Sequence, residues 1–489
     1  MKRKFVTNLA LLLLVNLLVK PFWVFGIDRS IQLTVGEGAY GMYFALFNLS
    51  LILNIVLDIG ITNYNNRNIS QHQFLLSKHF SNLVALKFVL AVVYAIITFT
   101  IALIIGYRGA QLTMLIVLVF NQFLVSFILY LRSNITALQK FKTDSLMSVV
   151  DRVLMIGICS ALLWGNITET EFQIEWFVYA QTVSYLATTI LGLVVLCGHI
   201  DKLRISLDYI FSRAILKQSF PYALLILLMA FYNRIDSIMI ERLLPGGEHD
   251  AGIYAQGFRV LDAATMFAFL FAGLLLPIFS YMIKIKEDVG QIVRLAIMLL
   301  IVPALILSFS CFFFRHEIIN LLYHHNDHYS SNIFGILILG FIPIATTYIF
   351  GTLLTANGSM RQLNTMAAIA MAINIGLNLI LIPQLQATGA AFVSLTTQLF
   401  AALAQVFIAI QVFKFKINKP QVLKFGLFIV IIFVMGLYIA YNKSNFPIKW
   451  HYVMAIYIIL CVILATIFRI FQPKGLYKII KYNEQNQVE

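Results

Sequence analysis

The chain has 489 residues, of which 61% are hydrophobic and only 11% are charged, and its mean hydropathy is +0.88. Soluble globular proteins carry about 25% charged residues, so this composition excludes a soluble protein and indicates a polytopic membrane protein. The net charge of +14 does not indicate a nucleic-acid-binding protein, because the basic residues concentrate in alternate connecting segments.

Runs of about 20 apolar residues, the length that crosses a bilayer as a helix, recur along the whole sequence. Their centres lie near residues 18, 50, 93, 122, 156, 187, 230, 267, 302, 345, 373, 401, 432 and 460. The sequence therefore predicts an all-α polytopic membrane protein with about 14 transmembrane helices. An even number of helices places both termini on one side of the membrane.

The first apolar run follows Met1–Lys4 and resembles a signal peptide. Lys20 and Pro21 interrupt the run and no small-residue cleavage site follows, so we predict an uncleaved first helix. Its outer end is expected near residue 26. Pro21 removes one backbone hydrogen bond and predicts a kink, which serves either in gating or only as a static bend.

The distribution of basic residues predicts the orientation. With a cytoplasmic N-terminus, 22 of the 35 Lys and Arg residues fall in cytoplasmic segments and 6 fall in outer loops, Arg29 among them. This asymmetry agrees with the positive-inside rule. We expect a multi-pass protein of the bacterial cytoplasmic (inner) membrane with both termini in the cytoplasm.

Six charged residues lie inside stretches that are otherwise apolar enough to span a bilayer: Lys20, Asp58, Arg234, Asp236, Arg259 and Asp262. A charge near the bilayer centre costs about 2.5 to 3.5 kcal/mol on insertion scales, so such residues usually face a bundle interior or a watery cavity. Lys and Arg match phosphate oxygens, which makes Lys20, Arg234 and Arg259 candidate ligands of an anionic substrate.

The three aspartates, Asp58, Asp236 and Asp262, are candidates for charge pairing or for coupling to protons or sodium. Arg259 and Asp262 are three residues apart and share a helix face, whereas Arg234 and Asp236 are two apart and do not. The alternative is that these residues form structural salt bridges, with Asp236 and Asp262 neutralising the bases. Lys20 has a further alternative, in which its side chain reaches the membrane interface.

Other polar residues predict no site. Asp151 and Arg152, expected near the cytoplasmic end of the fifth helix, and Arg294 in the ninth are interpreted as helix anchors. The cysteines lie within apolar runs and imply no disulfide: Cys159, Cys197, Cys311 and Cys461. The outer-loop residues His316, His324, His325, Asp327 and His328 match no metal-binding spacing, so we predict no metal and no cofactor.

The connections are short and contain no GxxxxGK[ST] phosphate loop, so transport is expected to draw on a gradient or on the membrane potential. We predict two six-helix lobes at 1-198 and 219-414, a cytoplasmic amphipathic linker at 199-218, two further helices at 415-472 and a cytoplasmic tail at 473-489. Internal similarity supports the lobes, because Gly-x-Tyr occurs in both 37–45 and 249–256, six helices apart. Residues 177–182 and 392–398 show a second similarity at the same offset. Such repeats are related by an axis along the membrane normal, and the substrate is expected between them.

Three motifs point to a known family. They are Asn233–Ile240 followed by Ala251–Ala255, Asp58–Gly60 at the end of the second helix, and Ile382–Pro383 with Thr388–Ala391 before the twelfth. Together they resemble the polysaccharide transporter family, the O-antigen or lipid-linked oligosaccharide flippases of the multidrug/oligosaccharidyl-lipid/polysaccharide (MOP) exporter superfamily. The resemblance spans most of the chain.

The resemblance implies a V-shaped pair of lobes, with the first, second, seventh and eighth helices lining a central cavity. All six charged residues named above would then lie on cavity-lining helices. In related peptidoglycan-precursor flippases the last two helices form a groove for the lipid tail, so the thirteenth and fourteenth helices are expected to serve this purpose here.

The expected function is a flippase that moves polyprenyl-diphosphate-linked oligosaccharide, an O-antigen (lipopolysaccharide), capsule or exopolysaccharide repeat unit, to the outer leaflet by alternating access. No covalent chemistry is expected, so the protein is predicted not to be an enzyme. Expected partners are the lipid-linked substrate, membrane lipids and possible polymerase and export machinery, with no nucleic acid and a monomeric state. The alternatives are a cation-coupled multidrug antiporter, a peptidoglycan-precursor transporter and a membrane glycan polymerase or ligase.

Overall fold

The fold is described from a computed structural model. It describes residues 18–19, 21–62, 65, 69, 75–138, 140–165, 170–197, 209–324, 327–415, 419–442, 448–468 and 470. Every regular element within these residues is a helix. This confirms the predicted all-α membrane protein, since an α-helix satisfies the backbone hydrogen bonds of a membrane-spanning segment internally.

The first half of the chain forms eight helices. They are α1 (π-helical Trp23–Asp28 and residues 29–35), α2 (residues 37–53 with the 3-10 turn Asn54–Leu57), α3 (Leu75–Ile105), α4 (Ala110–Ala137), α5 (Phe141–Trp164), α6 (Ile174–Cys197), α7 (Tyr209–Leu243) and α8 (Gly247–Lys284).

Six further helices of membrane length follow. They are α9 (Gly290–Phe313, with a π-helical turn at Ile297–Ile301), α10 (His328–Ala356), α11 (residues 360–385), α12 (residues 387–413), α13 (Lys419–Asn442) and α14 (Trp450–Ile467). A short helix, Arg315–Tyr323, connects α9 to α10.

Twelve stretches within the described residues are long and apolar enough to cross a membrane, and two of them contain a break. Gly36, with φ 78°, separates α1 from α2, and Gln386, with φ 54°, separates α11 from α12. Without its break the 54-residue stretch Met360–Phe413 would be about 81 Å long, against about 30 Å for the hydrocarbon core. The breaks therefore give fourteen helical segments within the described residues, at the positions predicted from hydropathy.

The first helix continues beyond its predicted end near residue 26. It reaches residue 35, so Asp28 and Arg29 lie within it and not in an outer loop. Hydropathy falls at these residues, but Asp28 and Gln32 are buried against the protein. Pro21 lies two residues before the π-helical turn, which agrees with the expected local distortion, because proline lacks the backbone donor of a regular helix. A gating role for Pro21 stays a prediction.

Helix α7 begins at Tyr209, so residues 209–218 of the predicted linker are continuous with the membrane-spanning helix. Residues 199–208 of that linker and the predicted tail at 473–489 lie outside the described residues. A separate amphipathic linker therefore stays a prediction.

The described residues form two compact units. The first contains residues up to Arg259 together with Ala367–Ser394, and the second contains Val260–Met366 and the described residues from Leu395 onward. Within the second unit, α9 packs on α13 and α14 through aromatic rings. The ring centroids of Phe313 and Phe433, for example, lie 5.5 Å apart. The predicted lobes at 1-198 and 219-414 group the helices differently and stay a prediction.

Within the first unit, α2 and α8 approach each other backbone to backbone near their N-termini. A Cβ atom on Gly41 would lie 2.6 Å from the Gly252 nitrogen, and one on Gly252 would lie 2.7 Å from the Glu37 carbonyl carbon. Only glycine permits this approach at either position. The contact is reciprocal between the two segments that share the Gly-x-Tyr pattern, and it places α8 beside α2 for the site described below.

Candidate functional site

The structure describes all but one of the residues predicted for substrate binding, pairing and gating, and these residues lie on or beside several helices. Arg234, Asp236 and Arg259 lie on α7 and α8 in the first unit, whereas Asp58 lies at the far end of α2 from the Gly41 contact. Asp262 belongs to the second unit. Lys20 lies outside the described residues, so its predicted role in substrate binding stays a prediction.

Arg259 is held by an ion pair to a residue that was expected outside the first helix. Its Nε lies 3.2 Å from Oδ2 of Asp28 on α1 and donates to the Tyr40 hydroxyl, 3.0 Å away on α2. Tyr40 donates to the Asp28 carboxylate, whose oxygens lie 2.9 and 3.0 Å away, and Gln32 Nε2 donates to Oδ2 at 3.2 Å. We call Asp28, Gln32, Tyr40 and Arg259 the Arg259 cluster.

Aromatic rings surround the Arg259 guanidinium. Its Cζ lies 5.2 Å from the ring centroid of Phe44 and 5.7 Å from that of Phe47. Beside them, Tyr43 accepts a hydrogen bond of 2.9 Å from Gln181 on α6 and contacts the ring of Phe177 edge-on. The ring faces exclude water and attract the cation, so the guanidinium is fixed in position by packing as well as by charge.

A second arginine lies close to this cluster. Arg152 is in the middle of α5 and not near its cytoplasmic end, because α5 begins at Phe141, earlier than hydropathy indicates. Its guanidinium lies over the ring of Trp23 at 5.4 Å and is 3.7 Å from Asp151. The interpretation of Arg152 as a helix anchor is therefore incomplete.

Arg234 links α7 to two other helices. Its Nη1 donates to Asn48 Oδ1 on α2 at 3.3 Å, and its guanidinium lies 5.1 Å from the ring centroid of Phe258 on α8. Asn48 also donates to Ser237 Oγ at 2.8 Å. The side chain is half-buried, and its predicted role in substrate binding stays a prediction.

Asp236 lies one half-turn further along α7 and is fully buried in a cage of neutral polar groups. Asn378 and Asn374 Nδ2 donate to Oδ1 at 2.7 and 3.0 Å, and Tyr254 donates to Oδ2 at 3.0 Å. Asp236 therefore does not neutralise Arg234 in the way the salt-bridge alternative required, and its contacts among the described residues are all with uncharged side chains.

The Asp236 cage contains more acceptors than its hydrogen bonds use. Asn378 Oδ1 is buried and has no hydrogen-bond partner among the described residues. Together with the Asp236 carboxylate this oxygen gives a concentration of hard donor atoms of the type that bind a proton or a small cation.

Asp58 is paired with a lysine that sequence reasoning passed over. Lys87 on α3 is fully buried, and its Nζ lies 2.7 Å from Asp58 Oδ1 and 2.9 Å from Ser126 Oγ. The Asp58 carboxylate also accepts hydrogen bonds from the backbone and hydroxyl of Thr62. This arrangement fits charge pairing at the end of α2.

Two further sequence predictions concern Asp262 and the outer-loop histidines. Asp262 lies one turn after Arg259 on α8 and is half-buried, and its carbonyl accepts a hydrogen bond from Thr265 at 2.9 Å. Among the described residues, no group of three or more His, Cys, Asp or Glu side chains is placed to hold a metal ion. His316 stacks on His328 with centroids 5.3 Å apart.

A third polar cluster lies where α3 meets α4 and α7 meets α8. Glu241 accepts hydrogen bonds from Tyr107 at 3.0 Å and from Arg242 Nη2 at 2.7 Å, and Gln111 Nε2 lies 3.3 Å from Glu248. The Arg242 guanidinium lies over the Tyr107 ring at 3.9 Å. Burial raises the pKa of Tyr107, and the adjacent Glu241 carboxylate raises it further. We call these five residues the outer cluster, because the predicted orientation places this end of the helices on the outer side of the membrane.

The clusters around Asp28 and Asp236 have a common plan. Each aspartate lies seven residues before the end of its helix, residue 35 in α1 and residue 243 in α7, and each accepts a hydrogen bond from a tyrosine on the following helix. The internal repeat marked by the Gly-x-Tyr pattern therefore includes the buried aspartates and the tyrosines that donate to them. In one copy an arginine pairs with the aspartate, and in the other the hydrogen-bond donors among the described residues are uncharged.

Comparison with solved structures identifies the fold. The lipid II flippase MurJ in an inward closed conformation is similar with a TM-score of 0.65 and 15% identity, over 92% of this chain and 98% of that one. An inward-facing MATE multidrug resistance transporter of the MOP superfamily gives 0.64 and 14% over 80% and 94%. A MOP superfamily transporter from Pyrococcus furiosus gives 0.59 and 14% over 84% and 95%. At these identities the likeness shows the shared fold.

Membrane-length helices with buried charged clusters define the class, a multi-pass all-α membrane protein, and its fold is similar to that of MOP superfamily transporters. The profile of the polysaccharide biosynthesis protein family matches residues 5–283, more than half of the chain, and the protein therefore belongs to that family. The profile named MatE matches residues 221–380. No curated protein matches the sequence.

Proposed function

We propose that this protein is a flippase that moves polyprenyl-diphosphate-linked oligosaccharide, an O-antigen, capsule or exopolysaccharide repeat unit, from the inner to the outer leaflet by alternating access. Membership of the polysaccharide biosynthesis protein family and the likeness of fold to a lipid II flippase support this proposal. The substrate is a lipid with a negatively charged diphosphate and a polar glycan, and each part needs matching groups on the protein.

The observation that carries the proposal is the Arg259 cluster. An arginine inside a membrane-spanning helix is costly, and it usually lines a bundle interior or a watery cavity. Arg259 lies twelve residues into α8 with aromatic rings against it, and Arg234 lies on the neighbouring helix α7. Guanidinium groups bind phosphate oxygens through paired hydrogen bonds, and aromatic faces stack on sugar rings, so this cluster suits the charged end of the substrate.

The membrane potential favours the proposed direction. With a negative cytoplasm, moving a dianion outward gains roughly 4.6 kcal/mol per 100 mV, twice the value of about 2.3 for one charge. The substrate therefore needs little further energy input. The proposed orientation in the inner membrane, with cytoplasmic termini, delivers the lipid to the outer leaflet, where polymerase and export machinery would use it.

A coupling ion, where transport uses one, is proposed to bind at Asp236 and not at Asp58 or Asp262. Lys87 already neutralises Asp58 at 2.7 Å, whereas the contacts of Asp236 among the described residues are with neutral side chains. A proton or Na⁺ would act there as a co-substrate that neutralises the carboxylate. The test is whether transport by Asp236→Asn loses the pH or sodium dependence of the wild type, with Asp262→Asn as the comparison.

A second candidate function is cation-coupled drug export. The MatE profile match and the fold of the MATE transporters favour it, as does the Asp236 cage. It differs in substrate, because a cationic drug would be repelled by Arg234 and Arg259. Efflux of cationic dyes under an imposed proton or sodium gradient tests this candidate directly.

The experiment that tests the flippase proposal is the delivery of lipid-linked oligosaccharide to the outer leaflet by the wild type and by variants of Arg234 and Arg259. Loss of delivery by folded variants supports the proposal. Unimpaired delivery would mean that both arginines have only a structural role, and it would favour the drug-antiporter function.

A further inference from the structure

We propose that a pocket between the first turns of α4 and α6 binds the headgroup of a phospholipid with a primary amine, phosphatidylethanolamine. In the predicted orientation both helices begin on the outer side, so the lipid belongs to the outer leaflet. The inference goes beyond the proposed function, because this lipid is bound at the surface of the protein and is not the transported substrate. The residues that carry it all belong to the first unit.

The size and lining of the pocket suit a small headgroup. The pocket has a volume of about 190 Å³, and Met114, Val117 and Val178 form most of the apolar part of its lining. One water molecule takes up about 30 Å³ of liquid, so the pocket has room for about six, or for the ammonium and the two carbons of an ethanolamine group. Ligand sites typically combine such an apolar wall with a few placed polar groups.

Three polar side chains also line the pocket, Thr113, Glu175 and Tyr179. Glu175 and Tyr179 are four residues apart on α6 and therefore share one face of that helix. The Thr113 hydroxyl donates to the Gly109 carbonyl at 3.4 Å, which leaves the lone pairs of its oxygen to accept. A carboxylate and two hydroxyls thus offer acceptors to the three N–H groups of a primary ammonium. The described lining contains no lysine or arginine, so its one negative charge disfavours an anionic headgroup.

The Glu175 carboxylate is available to such a ligand. It is half-buried in the first turn of α6, and it makes no hydrogen bond or ion pair with another described residue. The positive end of the helix dipole stabilises a carboxylate in a first turn. The dipole accounts for the position of Glu175 but not for the pocket that it lines, whereas an ammonium ligand accounts for both.

The exposed faces of α4 and α6 indicate that the amine belongs to a lipid. Thr113 begins the exposed face of α4, and Tyr179 begins that of α6. Toward the middle of both spans these faces continue with large exposed apolar residues, which are Ile116, Phe120, Val183, Leu186 and Ile190. Acyl chains of a lipid whose headgroup occupies the pocket would lie against these residues, whereas a soluble amine would make no contact with them.

Hydrogen bonds fix α4 against α6 next to the pocket. The Thr182 hydroxyl donates to Asn121 Oδ1 at 2.8 Å, and Asn121 Nδ2 donates to the Val178 carbonyl oxygen at 3.3 Å. Because Val178 lines the pocket, these bonds hold its apolar wall in place. The pocket is therefore formed before a ligand binds, as is usual for small-molecule sites.

The test is the binding of dioleoyl phospholipids to the purified full-length protein in detergent, measured by native mass spectrometry. We expect the wild type to bind phosphatidylethanolamine about tenfold more tightly than phosphatidylcholine, whose ammonium has no N–H donor, or phosphatidylglycerol, which has no cation. Glu175→Gln should reduce this preference to about twofold or less. Glu171→Gln makes the same charge change at an exposed residue just before α6 that does not line the pocket, so this control should keep the wild-type preference.

Equal binding of the three lipids by the wild type, or an unchanged preference in Glu175→Gln, overturns the inference. Tyr179→Phe and Thr113→Val each remove one hydroxyl and keep the carboxylate, and each should reduce the preference by about threefold. These two variants decide the question if Glu175→Gln does not fold, because an unchanged preference in both overturns the inference as well. Displacement of the bound lipid by free ethanolamine would overturn the assignment to a lipid. The flippase proposal is independent of these results, since Arg234 and Arg259 do not line this pocket.

Discussion

Asp28 on α1 and Arg259 on α8 form an ion pair of 3.2 Å inside the membrane-spanning part of the first unit. The pair joins helices that are more than 200 residues apart in sequence. Asp28 is almost completely buried, whereas the Arg259 side chain is 15% exposed. If the ion pair is broken, Asp28 therefore has less access to solvent than Arg259 has.

Arg259→Ala is expected to destabilise the protein by about 3 kcal/mol, because a buried carboxylate loses its counter-ion. Adding Asp28→Asn should recover most of this loss, since Asn does not need a cation and still accepts from Tyr40. The measurement is the thermal unfolding midpoint of the single and double variants in detergent. A double variant whose loss equals the sum of the two single losses would show that the pair is not coupled.

The reciprocal glycine contact gives a second prediction. Gly41→Ala and Gly252→Ala should each destabilise the protein by about 2 to 4 kcal/mol, because the added Cβ meets the backbone of the facing helix. Gly38→Ala is the matched control on the same helix, since nothing lies within 4 Å of its Cβ position. Helix propensity makes this control neutral or slightly stabilising. The measurement is the unfolding midpoint of each of the three variants. Equal decreases of the midpoint in all three would contradict the close approach of the two backbones.

The Lys87–Asp58 pair predicts an asymmetry. Asp58→Asn should cost about 3 kcal/mol because it leaves the fully buried Lys87 without its counter-ion. Lys87→Met should cost only about 1 kcal/mol, since Asp58 is 22% exposed and keeps its hydrogen bonds from Thr62. Expression level and unfolding midpoint measure both. Should Lys87→Met prove the more damaging change, Asp58 would have a role beyond charge pairing.

The outer cluster predicts that Tyr107 contributes the same amount to folding stability at every pH in the neutral range. The pKa of Tyr107 is raised above its unfolded value of about 10, so the protonated phenol is the form that the fold stabilises. This stabilisation is fully present below about pH 10 and is lost only as the pH rises above it. The difference in unfolding midpoint between wild type and Tyr107→Phe should therefore stay constant from about pH 6 to 9. A difference that shrinks over this range would mean that Tyr107 ionises there.

The number and positions of the helices could be predicted because hydropathy reports the lipid-facing residues that dominate each span. Arg234, Asp236 and Arg259 could be singled out for a related reason, since an isolated charge in an apolar run is conspicuous. Asp28 and Arg152 could not be assigned in this way. Both lie where local hydropathy falls within a helix, so hydropathy placed the helix boundary beside them, and their burial depends on other helices.

The partners of the charged residues could not be predicted from the sequence either. Arg259 and Asp262, three residues apart, are a plausible pair on one helix, but the ion pair to Asp28 depends on how α1 and α8 pack. The amides around Asp236 come from α11, and neutral polar residues in an apolar run give little signal. Lys87 was passed over because it lies near the start of an apolar run, where lysine commonly reaches the interface.

The central claim is that basic residues of α7 and α8 bind the diphosphate of a lipid-linked oligosaccharide during transport. Its most direct test is the amount of lipid-linked oligosaccharide in the outer leaflet of cells that carry wild type, Arg234→Ala, Arg259→Ala with Asp28→Asn, or the control Arg294→Ala, at matched protein levels. We predict loss of delivery for the Arg234 and Arg259 variants and normal delivery for the control. Normal delivery by both the Arg234 and the Arg259 variants would contradict the claim.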